Sequence, residues 1–280
     1  LQALAISGVL NVALNLVFVI VFKMTVNGVA IATVLSNAIS AIVLFRRLCR
    51  TDHVIRIKRT EFKFDAGVAG RILRIGLPAG IQGAVFAVAN IVIQSAINSL
   101  GTIVMAASSA ALNIEIIVYD IMNSFSQACT TFTGQNYGAG DLKRCKKSLY
   151  LCIIEAAVAC AVSIMLILFF GKSLLALFNS DPRVVEIGYT RLLIIFSAYT
   201  FSMLYENMSG YLRGFGLSLV PAILTVFGVC VVRLVWIYTV FPAHRTFTTI
   251  MLVYPLSLAT TAVLIFIALM VYRPSKRYQK

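Results

Sequence analysis

Residues 130–143 read TTFTGQNYGAGDLK. Glycine and asparagine accept the positive φ that tight turns demand, so this stretch punctuates the chain. Lys143, Arg144, Lys146 and Lys147 follow as a solvated basic edge. On both sides almost nothing is water-soluble. Residues 103–133 upstream and 148–170 downstream are each apolar runs, and a helix of roughly 20 apolar residues crosses a bilayer. A glycine-rich basic turn between two such runs is expected of a helical hairpin in a membrane.

The composition extends that reading to the whole chain. Of the 280 residues, 60% are hydrophobic and only 12% charged, and the mean hydropathy is +0.93. Soluble chains carry about a quarter charged residues. Eight segments are long and apolar enough to span: 3–22, 27–45, 76–99, 103–133, 148–170, 187–212, 219–241 and 247–272. Several contain Pro, Gly, Asn or Ser, which membrane helices tolerate because neighbouring helices satisfy the freed backbone groups. The expected fold class is an all-α polytopic membrane protein, with no soluble domain and no sheet.

The net charge of +14 raises nucleic acid as a partner, and its distribution excludes that reading. Eighteen Lys and Arg fall on alternate connections, nine of them in 46–75, against four (Lys23, Lys172, Arg183 and Arg245) on the others. This is the positive-inside pattern. It predicts a multi-pass protein of the plasma membrane, the bacterial inner membrane, with the 134–148 turn and both chain ends cytoplasmic. The lipid bilayer is the expected partner, and no obligate protein partner is evident. Residues 46–75 form a cytoplasmic linker, with a short amphipathic helix expected at the interface near 65–75. The linker separates two helices in 1–45 from six in 76–272, and 273–280 is a cytoplasmic tail. The six cysteines (49, 129, 145, 152, 160 and 230) lie in apolar helices or on the cytoplasmic side, so disulfides are not expected. The chain begins without Met and inside an apolar run, and reads as a fragment of a longer protein.

Polar groups inside spans are costly and mark candidate function. The third span carries Gln82, Asn90, Gln94 and Asn98 at multiples of four, one drifting stripe. The fourth carries Asn113, Asp120, Ser124, Gln127 and Thr131 near one face, and Glu115, Tyr119 and Ser126 on another. A helix polar on two sides cannot turn both to lipid. The sixth carries Tyr199, Ser202, Glu206 and Ser209, and the seventh Arg233, which could pair with Asp120. Asn and Gln in such helices either glue helices together or line a cavity. A carboxylate in a low dielectric holds its proton more tightly, which suits proton or cation coupling. Glu115, Asp120 and Glu206 are the candidate coupling acids. Gln82, Asn90, Gln94, Asn113, Tyr119 and Tyr199 are candidate cavity residues. No GxxxxGK[ST], HExxH, GxSxG or cofactor fingerprint occurs, so no enzyme and no bound cofactor or metal is expected.

Four ordered stretches resemble the MATE (multidrug and toxic compound extrusion) transporters. NVALNLVFVIVFKMTVNGVAIATVLSN (11–37) is similar to the fifth-to-sixth helix signature of that family. RIGLPAGIQ (74–82) is similar to the start of the seventh helix. TGQNYGAGD (133–141) is similar to the turn after the eighth, and SGYLRGFG (209–216) to the turn after the tenth. The resemblance implies helices five to twelve of a two-lobe protein: two helices of a first lobe and a complete six-helix second lobe. It implies a secondary active antiporter that exports amphiphilic, often cationic small molecules in exchange for H+ or Na+. Two departures bear on coupling. Asn15 stands where Asp is common in the fifth helix, and the seventh carries no acid. The alternatives are a lipid-linked oligosaccharide flippase, which needs a more cationic cleft than Arg191 and Arg233 offer, and a non-transporting membrane scaffold.

Overall fold

The computed structural model describes residues 2–51, 56–57 and 65–274. The middle of the expected linker and the last six residues lie outside the described residues. All regular elements among the described residues are helical: α1 (Gln2–Leu16, continued by a π-helical turn, Val17–Val21), α2 (Val26–Arg50), α3 (Ala66–Asn98), α4 (Thr102–Gly138), α5 (Leu142–Ala176), α6 (Pro182–Gly214), α7 (Leu219–Thr225), a second π-helical turn (Val226–Val231), α8 (Val232–Thr239) and α9 (Phe247–Tyr272). Seven described helices are long and apolar enough to cross a membrane, with α7–α8 counted as one, and Ala5–Val21 is a shorter apolar helix.

Two compact units result, Leu1–Ala69 and Gly70–Lys280. In the first, α1 and α2 pair through polar groups. Asn11 Nδ2 donates to Ser36 Oγ at 3.1 Å and Ser7 Oγ donates to the Ser36 carbonyl at 3.1 Å, while within α1 Asn15 Nδ2 donates to Asn11 Oδ1 at 3.0 Å. The second unit is built around α4 and α6. Ala107 faces Gly188, Glu115 binds Arg191, Ser126 binds Glu206, and Thr133 meets Gly214. The sequence offset stays nearly constant along that series, so the two helices run parallel over their whole length. Glycine permits the approach: a Cβ at Gly210 would sit 2.5 Å from the Ser126 carbonyl oxygen, and one at Gly214 2.6 Å from Thr133 Cβ. Small residues let membrane helices pack this closely. Around this pair stand α5 and α9, while Phe169, Phe170, Val158 and Met165 on the far side of α5 stay exposed, as a lipid-facing surface should.

The glycine motifs explain themselves locally. Gly140 (φ +78°) and Gly216 (φ +80°) occupy the left-handed region. At each, the glycine N–H bonds back three residues, to Tyr137 and Arg213. The next N–H, from Asp141 or Leu217, bonds back five, to Asn136 and Leu212. Both are Schellman ends, which satisfy the last helix carbonyls. Asp141 then caps α5 by accepting from Arg144 N at 2.9 Å. The two motifs also pack on each other: the Tyr137 and Phe215 rings lie 5.0 Å apart, and Cys129, Cys145 and Cys152 fill the space beneath. All six cysteines are free.

The sequence boundaries differ in two places. Residues 66–75 are the first turns of α3 rather than a separate interfacial helix, because nothing between 66 and 98 breaks the helix except Pro78, which it tolerates. Similarly, TGQNYG forms the end of α4 and the basic run 143–147 the start of α5, so the turn itself shrinks to 139–141.

Candidate functional site

The polar residues of the second unit separate into a buried network and an open stripe. In the network, Arg191 of α6 is 1% exposed and Glu115 of α4 is 5% exposed. Arg191 donates from Nε to Glu115 Oε1 at 2.6 Å and from Nη2 to Oε2 at 2.9 Å, and its Nη1 donates to Ser108 Oγ at 2.7 Å. This bidentate fork matches the planar guanidinium to both carboxylate oxygens. Glu115 is therefore not an isolated acid. The Tyr254 ring of α9 lies 5.6 Å from the Arg191 guanidinium and 4.4 Å from that of Arg233. Arg233 of α8 donates from Nε to Ser257 Oγ at 3.2 Å and from Nη1 to Asn90 Oδ1 of α3 at 3.4 Å. The network thus ties α3, α4, α6, α8 and α9 together. Tyr199 is buried beside it, its ring edge-on to Phe196 at 5.3 Å.

Outside the network, α4 carries an open polar stripe. Asn113, Asp120, Ser124, Gln127 and Thr131 are all exposed. Asn113, Ser124 and Thr131 turn back onto carbonyls of their own helix, at Ser109, Asp120 and Gln127. The Asp120 carboxylate makes no ion pair with Arg233; each arginine of the network is held elsewhere. Tyr119 is 41% exposed, with the charges of Glu206, Asp120 and Arg213 nearby. Glu206 sits 3.6 Å from Arg213 Nη2, while its backbone carbonyl accepts from Ser126 Oγ at 2.8 Å.

A family model described as MatE matches residues 78–239, more than half of the chain. The chain belongs to the MatE family. Among curated MatE relatives, a probable multidrug resistance protein, YpnP of Bacillus subtilis, is 30% identical over 83% of this chain and 52% of its own length. The probable multidrug resistance protein NorM of Thermotoga maritima is 29% identical over 76% of this chain and 46% of its own length. The chain thus spans about half the length of the curated relatives it matches. A crystal structure of MATE in complex with MaL6 superposes with a TM-score of 0.89 at 20% identity, over 99% of this chain and 63% of that one, a likeness of fold. The MatE match covers α4 and α6 entirely, so the stripe, the Glu115–Arg191 pair and Arg233 lie within the matched segment, while Tyr254 and Ser257 of α9 lie beyond it.

Of the residues singled out in the sequence, the structure brings Asn90 to Arg233, sets Tyr199 beside Glu115, and places Tyr119 near Asp120 and Glu206. Gln94 instead bonds Asn98 along α3, its Nε2 2.9 Å from Asn98 Oδ1. Gln82 is half-buried further along α3, and Asn113 bonds only its own helix. Sequence reasoning named Arg191 as a possible interior cation but missed its pairing with Glu115, and it missed Ser108, Tyr254 and Ser257. One signal was available. Glu115 and Arg191 lie 13 and 9 residues from the starts of α4 and α6, within about 6 Å of the same depth at 1.5 Å per residue.

Proposed function

We propose that the protein works as a secondary active exporter of amphiphilic small molecules, driven by an inward H+ or Na+ gradient. Family membership supports transport, and the multidrug resistance names of its relatives support a broad cargo range. The observation that carries the reading is the open stripe on α4. A carboxylate at mid-helix against lipid costs about 2.5–3.5 kcal/mol on insertion scales, so an exposed Asp120 flanked by Asn113, Ser124, Gln127 and Thr131 calls for water or cargo rather than hydrocarbon. Asp120 is the acid best placed to exchange a cation for cationic cargo; Glu206, with Tyr119 nearby, lies 3.6 Å from Arg213 Nη2 and takes part when that looser pair opens. Glu115 is already neutralised by Arg191, so it joins coupling only if that pair opens. Phe125, half-buried on the same helix, offers cargo an apolar contact beside the stripe. Alternating access at a site within the membrane is the mechanism such helical folds support. H+ and Na+ are the candidate coupling ions, and no resident cofactor is required.

Reconstituted protein in liposomes, loaded with ethidium and given an imposed proton or sodium gradient, tests this. Gradient-dependent ethidium movement is expected. Its absence under both gradients, in protein that remains folded, overturns the exporter reading in favour of a scaffold. Orientation is tested separately. Single cysteines placed at 172–185 should react with an impermeant reagent added outside cells, and those at 140–147 should not; the reverse overturns the cytoplasmic assignment of the glycine turns.

A further inference from the structure

The buried network holds one carboxylate for two guanidiniums. Arg191 takes both oxygens of Glu115. Arg233, 6% exposed, has only neutral partners: Ser257 Oγ, Asn90 Oδ1 and the Tyr254 face. Among the described residues no carboxylate lies within ion-pair distance of it. A guanidinium inside a membrane protein normally pairs with an anion or marks a ligand path, and neutral dipoles soften its charge without cancelling it. Its donors are also incompletely used. Guanidinium carries five N–H groups in a fixed fork suited to carboxylate or phosphate, and Arg233 donates to two acceptors among the described residues, Ser257 Oγ and Asn90 Oδ1. The local backbone aims it inward. The π-helical turn Val226–Val231 immediately precedes α8, and an extra residue per turn resets the helical phase. Val231 and Val235 stay exposed while Arg233 is buried. Its partner Asn90 is exposed, so the guanidinium lies one side chain from the bundle's open surface.

We propose that Arg233, with Asn90, is an anion-binding position of the six-helix unit. It takes a carboxylate or phosphate oxyanion, borne by amphiphilic cargo or free in solution. The inference rests on the exporter reading only for its consequence, which extends the cargo from cations to amphiphiles bearing an anionic group.

The test measures binding to the purified protein in nanodiscs, with dansyl-undecanoate as the acidic probe and its methyl ester as the neutral control. The acid should bind at least tenfold more tightly than the ester. Arg233→Gln should abolish that preference, so that acid and ester bind equally. Arg233→Lys, which keeps the charge and loses the fork, should retain part of it, and Asn90→Ala should weaken acid binding about threefold. Should Arg233→Gln fail to fold, the lysine and Asn90 variants decide the matter on their own. Competition by millimolar inorganic phosphate assigns the position to a free oxyanion; acid binding that phosphate leaves untouched assigns it to cargo. Equal wild-type affinity for acid and ester, or a preference that none of the three variants alters, overturns the proposal. The ethidium assay keeps the two readings apart. Ethidium export without an acid preference defeats the anion position alone, and an Arg233-dependent preference without export defeats the exporter reading alone.

Discussion

On its inward side α4 presents Ser108, Glu115 and Ser126, and each bonds α6: Ser108 and Glu115 hold Arg191, and Ser126 holds the Glu206 carbonyl. On its outward side the same helix presents Asn113, Asp120, Ser124, Gln127 and Thr131, whose recorded side-chain hydrogen bonds all return to α4 itself. The two sides carry similar residue types. What separates them is whether a neighbour has come close enough to use them. Gly188, Gly210 and Gly214 bring α6 against one side, and the other is left open. Polarity within a membrane helix is therefore not one signal: on one side it fastens the bundle, and on the other it remains free for chemistry.

This contrast is broken most easily from the inward side. Glu115→Leu leaves Arg191 buried and unpaired, which typically costs about 3–5 kcal/mol. The expected result is a large fall in folded yield and in the unfolding midpoint in detergent, partly recovered by adding Arg191→Leu. A near-native midpoint for the single variant would show that water reaches this pair. Next in size is Gly210→Val. Its side chain would drive into the Ser126 carbonyl, and overpacking costs about 1–3 kcal/mol, visible as a lowered midpoint. If the midpoint holds, α6 can move away from α4 at little cost, and the tight parallel pairing is overstated. The outward side should behave differently. Gln127→Leu and Thr131→Val are expected within about 0.5 kcal/mol of wild type, while lowering cargo affinity in the same preparation. Destabilisation as large as that of Glu115→Leu would mean that the stripe packs against protein and is not open.

The unequal use of the two sides also explains what could be read in the sequence. Eight apolar runs, their charged connections and the two glycine motifs fixed the helical architecture, because hydropathy and turn chemistry act locally. The turns came out shorter than expected: residues such as Gln135 and Asn136 are compatible with a helix end as well as a loop, and only Gly140 marks the stop. The candidate acids were all legible as polar groups at helical spacing. Their division was not, since it depends on which helix of the bundle approaches α4. Asp120 and Arg233, a candidate pair from sequence, belong to different surroundings, while Glu115 and Arg191 are 76 positions apart in sequence and 2.6 Å apart in space. Glu206 is the counter-example: Arg213 lies seven residues on along α6, about two turns, so that neighbour follows from helical spacing alone.

If the open side of α4 serves transport and the inward side serves the fold, Asp120→Asn separates the two roles. The substitution keeps size and hydrogen bonding and removes the charge at an exposed position, so the unfolding midpoint should stay within about 0.5 kcal/mol of wild type. Ethidium export from liposomes, driven by a proton or a sodium gradient, should fall at least tenfold with ethidium binding measured alongside. Weakened binding places Asp120 on the cargo, and unchanged binding places it on the coupling ion. Wild-type export by Asp120→Asn under both gradients would contradict the account.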